Sequence, residues 1–209
     1  MNHNNLYYKI ILFLVLCGIF TVTGAFADDD TDELSDQSIV STGDSFAQNG
    51  ILKLIDSRIS TRTFSDESID DKTTDEILWA AFGKNSHGTR TIPTSQGQEN
   101  LKVYAIRADG AFLYDGEQLN KVSDADLRPL FALQDFVATA PLTLLFAGSD
   151  KDNSPLHAGS SYQNVALYCA ERGLGTVVRA FFDKQAVEEA LSFTEGEFAI
   201  ISQTIGWIG

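Results

Sequence analysis

The spacing of apolar and polar positions divides this chain into an apolar leader, a polar spacer and a folded region. Ile10 to Ala27 is an almost unbroken apolar run behind a polar start. It closes on Ala25-Phe26-Ala27, and Asp28-Asp29-Asp30 follows at once. That layout predicts a signal peptide over residues 1–27. Residues 28–48 are acidic, rich in Ser and Thr and poor in apolar residues, which predicts a disordered spacer. From residue 49 to 209 the pattern is that of one folded domain.

Within that domain, residues 49–58 carry the apolar run Ile51-Leu52-Lys53-Leu54-Ile55 and predict a short helix. Thr73-Thr74-Asp75-Glu76 reads as a capping box, with Ile77, Leu78, Ala81 and Phe82 at helical spacing behind it and Gly83 as the stop. Residues 83–100 are irregular and hold Pro93, and a loop of this length inside a compact domain is usually functional or disordered. Residues 101–107 and 111–114 flank Asp109-Gly110 and predict a β-hairpin. Short helices are expected over 124–131 and 135–138, then a buried strand over 141–147. The clearest helix is 157–172, ended by Gly173. An extended piece over 176–181, a helix capped by Asp183 and running to Ala190, and a last strand over 198–205 complete the order. Hairpins mixed with helices, without regular βαβ alternation, predict an α+β fold.

The charge balance narrows the function. There are 15 basic residues against 29 acidic ones, a formal charge of −14, which argues against nucleic acid and anionic membrane surfaces as partners. The leader predicts export to the periplasm, cell surface or medium. If uncleaved, its apolar run is about long enough to anchor the chain in a membrane. Cys17 follows Leu16, not the small residue that a lipidation site wants. Cleavage leaves Cys169 as the remaining cysteine, so no intramolecular disulfide can form.

Candidate chemistry is sparse. Gly173-Leu174-Gly175-Thr176 follows a helix and has Val178 where a dinucleotide fingerprint needs its third glycine, so it reads as a helix end and turn. His87 and His157 have no ligand at metal-binding spacing, and no metal is expected. No nucleophile elbow G-x-S-x-G is present. Cys169 lies on an apolar helix face, where a thiol is usually inert. One stretch stands out in this acidic chain: Arg58-Ile59-Ser60-Thr61-Arg62-Thr63-Phe64 puts two guanidiniums and three hydroxyls together. Guanidinium forks suit phosphate. The same residues also fit ordinary surface ion pairs with Asp56, Asp66 or Glu67, and both readings stand at this level. Lacking a nucleophile, a metal box or an acid–base pair, a cofactor is the natural source of reactivity. Besides Arg58, Ser60 and Arg62, two segments offer it contacts. Pro93-Thr94-Ser95-Gln96-Gly97 supplies hydroxyls and exposed backbone. Val177-Val178-Arg179-Ala180 supplies N–H groups and a further guanidinium.

The residues so assembled resemble the nitroreductase-like family of FMN flavoproteins. Arg58-x-Ser60-x-Arg62-x-Phe64 is similar to its R-x-S-x-R/K-x-F opening, and Arg90-Thr91-Ile92-Pro93-Thr94-Ser95 to its R-T-x-P-S-A loop. Gln134-Asp135-Phe136-Val137 with Ala140-Pro141, Gln163-Asn164, Gly173 to Val178 and Gln203-Thr204-Ile205-Gly206-Trp207 follow in the family's order. The resemblance covers residues 50–209. It implies a mixed, largely antiparallel sheet flanked by helices, in a homodimer with FMN at the subunit interface. It implies that Arg58, Ile59, Ser60 and Arg62 hold the phosphate end. Pro93, Thr94, Ser95 and Gly97 would come from the partner subunit, and Val178, Arg179 and Ala180 would give main-chain contacts near the flavin N5. No residue is assigned to the bond-making step. The implied reaction is two-electron transfer by a ping-pong scheme from a small donor to a small organic acceptor. Export makes NAD(P)H a doubtful donor. Gly97 and Glu99 depart from the Asn and Gln of one bacterial branch, and the sequence closes at Gly206-Trp207-Ile208-Gly209 without a basic extension. A second reading is therefore a secreted binding module on the same scaffold with a degraded flavin site, and a third is a peptide-azoline dehydrogenase.

Overall fold

The computed structural model describes residues 50–209. The expected leader (1–27) and spacer (28–48) lie outside the described residues. Among those described, no helix is long and apolar enough to cross a membrane.

The first helix, α1 (Gly50–Ser57), buries none of its residues. The second, α2 (Asp71–Phe82), starts earlier than the expected capping box. Asp70 is the cap: its carboxylate accepts the Thr73 N–H at 2.7 Å, and Asp71 adds a favourable charge to the first turn. Glu76, expected to complete the box, instead accepts from Tyr168 (2.6 Å) and Arg172 of a later helix. A cap three residues upstream won because Asp70 already satisfied the orphan donors. Gly83 does end α2, with its N–H on the Trp79 carbonyl, but its φ of −70° suits any residue. What requires glycine is space: a Cβ here would lie 2.8 Å from the Trp79 Cα.

Six strands make one sheet in the order β3-β2-β1-β4-β6-β5, antiparallel at every pairing. They are β1 (Leu101–Arg107), β2 (Gly110–Tyr114), β3 (Leu119–Ser123), β4 (Leu142–Gly148), β5 (Leu174–Arg179) and β6 (Phe198–Trp207). This is the expected α+β fold with a largely antiparallel sheet. The expected hairpin is β1–β2. The strand β3 was not expected from the sequence. It is a polar edge strand whose Asn120, Lys121 and Val122 are exposed, so no apolar alternation marks it.

Both faces of the sheet are covered, which is why β4 reads as a continuous apolar run and is buried at every position. Leu142, Leu144 and Phe146 point into a core with Ile77 and Leu78 of α2 and Val165 and Cys169 of α5 (Ser154–Arg172). Leu145 and Ala147 meet Phe131, Val137, Phe182 and Val187 on the other side, carried by α3 (Arg128–Phe131), α4 (Phe136–Thr139), α6 (Lys184–Ala190) and the turn before α6. The 19-residue α5 starts earlier than the expected His157, with Pro155 in its first turn, where a missing N–H costs nothing. Gly83→Ala should lower stability by about 1–3 kcal/mol through overpacking against Trp79. Urea unfolding checks this, and Trp79→Leu should restore only part of the loss, because the backbone of that residue still crowds the added methyl.

Candidate functional site

The strip Arg58–Phe64 passes round the open side of β5. Ser57, Arg58 and Ile59 line a cavity of about 140 Å³ with Ala166 and Ala170 of α5 and Thr176 of β5. The Thr61 N–H donates to the Thr176 carbonyl at 3.0 Å, and the Ser65 N–H to Trp207 at 2.9 Å. Gly175 allows the approach, since a Cβ there would lie 2.9 Å from the Thr61 methyl. Backbone bonds thus hold the strip and leave its side chains available. Arg58 is half-buried, and Ser60 and Arg62 are exposed.

The arginines divide into two groups. Arg90 pairs with Glu99, Arg107 with Asp71 and Asp109, Arg128 with Asp126, and Arg172 with Glu76. Arg179 is satisfied by neutral acceptors. Among the described residues, the Arg58 and Arg62 guanidiniums have no carboxylate and no hydrogen-bond acceptor. The pairs with Asp56, Asp66 or Glu67 that the sequence left open are not formed.

Val178, Arg179 and Ala180 sit at the far end of β5. Thr176 turns its carbonyl away from β6 toward Thr61. Antiparallel backbone alternates, so Val178 turns its N–H and C=O to the same open side. The expectation of a further guanidinium here fails. Arg179 is 6% exposed. Its Nε donates to Gln134 (2.9 Å), and its two terminal nitrogens donate to the carbonyls of Phe131 (3.0 Å) and Phe181 (2.8 Å). Its position along β5 points it inward, and burial without a carboxylate pulls its pKa down.

The loop carrying Pro93, Thr94, Ser95 and Gly97 is built on several anchors. Asn164 of α5 donates to the carbonyls of Ala80 and Thr91, both at 3.2 Å. Arg90, with its guanidinium 4.3 Å above the Phe82 ring, donates to the Phe82 carbonyl (2.9 Å) and pairs with Glu99, closing the loop at its base. Gly116 makes room for it, because any Cβ there would overlap the guanidinium. At the far end Asn100 donates to Asp150 (3.0 Å) and accepts from Ser154 (2.8 Å). In the middle, the Ser95 N–H donates to Nε2 of His157 at 3.0 Å.

Within one chain the loop and the arginine strip do not meet. The loop docks at His157 and the strip at Ala166 and Ala170, up to roughly 20 Å apart along α5 at 1.5 Å per residue.

Comparison with known proteins identifies this arrangement. A family model described as "Nitroreductase family" matches residues 55–207. The chain belongs to the nitroreductase family. Within it, the chain is similar to a crystal structure from Ralstonia eutropha described as a nitroreductase, with 35% identity, a TM-score of 0.72, and coverage of 77% of this chain and 84% of that one. A protein of Methanocaldococcus jannaschii named as a nitroreductase is 26% identical over 163 residues, spanning 66% of this chain and 82% of its own length. A chain of the Escherichia coli microcin synthetase complex shares the fold at a TM-score of 0.67 and 15% identity.

Two residues of this nitroreductase-family chain acquire parts that sequence alone did not suggest. His157 reaches the loop although nothing near it in sequence marks it. Glu99 forms an ion pair with Arg90. Cys169 stays where expected, 0% exposed with its thiol pushed up to about 12 by burial, which leaves it unreactive. Among the described residues no group of three or more metal-ligating side chains gathers.

The Arg90 hydrogen bond holds the Glu99 carboxyl below its ordinary 4.5. A carboxyl whose pKa is depressed on folding stabilises above its unfolded value and loses that contribution as pH falls. The stability difference between the wild type and Glu99→Gln should therefore be constant above about pH 4.5 and vanish on further acidification. Thermal unfolding across that range measures it.

Proposed function

We propose that this protein is an exported FMN-dependent oxidoreductase that moves two electrons from a donor to a small organic acceptor. The observation that carries the reading is that the guanidiniums of Arg58 and Arg62 have no carboxylate or acceptor among the described residues, in a chain of net charge −14. Every other arginine has a carboxylate or carbonyl partner, and two left without one among the described residues, beside the Ser60 hydroxyl, suit a dianionic phosphate monoester. Arg58 and Arg62 would neutralise that phosphate, with Ser60 adding a donor and Ile59 an apolar contact. The open edge of β5 would present the Val178 N–H to a ring, where a fixed donor stabilises developing negative charge. Bound FMN supplies the two-electron redox chemistry, with donor and acceptor using the site in turn. Among the described residues no thiol competes for that part, since Cys169 is buried and its pKa is raised by burial.

The partner in this reading is a second copy of the chain. The gap along α5 between the arginine strip and the loop Pro93–Gly97 supports a site completed by the neighbour's loop. Exposed apolar side chains on and beside α1, with Ile51 55% and Ile59 68% exposed, supply surface for such a contact. The degraded-site reading has less support at Glu99, whose carboxylate is engaged by Arg90 at the base of the loop. Likeness to the microcin synthetase chain is one of fold alone and adds no support for azoline oxidation.

The full-length chain, incubated with FMN and desalted, should retain stoichiometric flavin and be yellow. Arg58→Ala should weaken FMN binding roughly 10- to 150-fold, the loss of one charge-assisted contact of about 1.5–3 kcal/mol. Flavin titration measures this, and unchanged affinity would reject the phosphate assignment. Export with cleavage after Ala27 should give a mature chain beginning at Asp28, read by intact mass; a mass that retains the leader would favour an anchored protein.

A further inference from the structure

The middle of the loop is tied to the body through one buried imidazole. His157 is 2% exposed. A backbone N–H can only donate, so the 3.0 Å contact from Ser95 requires Nε2 to be an unprotonated acceptor. The proton of the neutral ring then sits on Nδ1, a buried atom with no partner among the described residues. An orphaned buried donor is a cost that a residue present only to fill the core would not carry.

What the histidine holds is an unusual turn. Gln96 and Gly97 are both left-handed, with φ of 53° and 71°, and the first is not a glycine. The turn closes on itself through Gln98 N–H to Ser95 C=O (2.9 Å). Its flanks are pinned by the buried Ile92, the Arg90–Glu99 pair, Asn164 and Asn100. Between them, Ser95–His157 is the hydrogen bond that ties the turn to another element among the described residues.

We propose that His157 is a positioning residue of the flavin site. Through Ser95 it sets the turn Pro93–Gly97 in the conformation that edges the flavin, an assignment that rests on the FMN reading above. The turn's hydroxyl and backbone groups then arrive already ordered. Asp150 is the acidic neighbour whose field the ring shares. Its carboxylate accepts from the Asn100 and Asn153 side chains and from the backbone N–H groups of Asn153 and Asp152, so through Asn100 it orients the loop end and not the imidazole.

The test compares His157→Leu with His157→Gln in the full-length protein. Hydrogen exchange of peptides spanning residues 91–98, measured without FMN, should quicken about tenfold or more in the leucine variant while β4 and β6 peptides keep wild-type rates. Glutamine, whose side-chain carbonyl can accept the same N–H, should restore slow exchange. With FMN bound, the visible circular dichroism of the flavin should change in the leucine variant and stay as wild type in the glutamine variant. Imidazole ¹⁵N shifts of the wild type should show Nε2 unprotonated. Unchanged loop exchange in His157→Leu, loss of protection across the whole sheet, or a protonated Nε2 would each overturn the proposal while FMN binding by the wild type stands. Failure of the wild type to bind FMN, with the loop still loosened by leucine, would instead overturn the flavin reading and the assignment built on it.

Discussion

Everything in the candidate site depends on α5 lying against the central strands. Burial of Val165 and Cys169 in the core around Phe146 and Ile205 fixes the helix on the sheet. From that position it distributes contacts in several directions. Tyr168 and Arg172 hold α2 through Glu76. Ser161 and Asn164 hold the end of α2 and the start of the loop. The carbonyl of Tyr162 receives the buried amide of Gln203 on β6 at 3.2 Å. His157 takes the loop, and Ala166 and Ala170 wall the arginine strip. Apolar burial supplies the energy here, and the polar contacts, each worth roughly 1 kcal/mol net, supply direction.

Charge is distributed with the same economy. An acidic chain has more carboxylates than cations, so pairing each arginine locally is easy. Most are paired, and Arg179 is buried among carbonyls instead. Leaving Arg58 and Arg62 open in such surroundings requires that the strip be held by its backbone, because side-chain pairing would consume the charges. The bonds from Thr61 to Thr176 and from Ser65 to Trp207 do this. They also use part of the free edge of β5, which a bare strand would expose to other chains. The remainder of that edge, around Val178, has no backbone partner among the described residues.

Single residues of a loop are open to misreading when taken one at a time. Glu99 read as a lost flavin contact suggested decay. Beside Arg90, which is 7% exposed in its side chain and stacked on Phe82, it neutralises a buried charge that would be costly alone. Gly97 has a comparable local reason, since its φ of 71° favours glycine.

Most of the fold was legible because burial imposes period on sequence. The helices α2 and α5, the β1–β2 hairpin and the buried strands β4 and β6 all carry apolar patterns that local chemistry ends cleanly, with Gly83, Gly173 and Asp183 as punctuation. The family was legible too, through short motifs in a set order along the region that the family model matches. β3 was not, because an exposed edge strand has no apolar face to betray it. The true start of α2 was not, because Asp70 and the Thr73 box are equivalent as patterns and only the packing of Glu76 on α5 separates them. Sequence placed Arg58, Ser60 and Arg62 together but left phosphate grip and surface ion pair undecided. Only the tertiary structure, by giving each other arginine a partner, decided that these two have none among the described residues. It alone decided that Arg179 turns inward, that Glu99 closes a loop, and that His157 meets Ser95. Those are contacts between residues distant in the chain, and their distances follow from how the helices and the sheet pack, which no local spacing encodes.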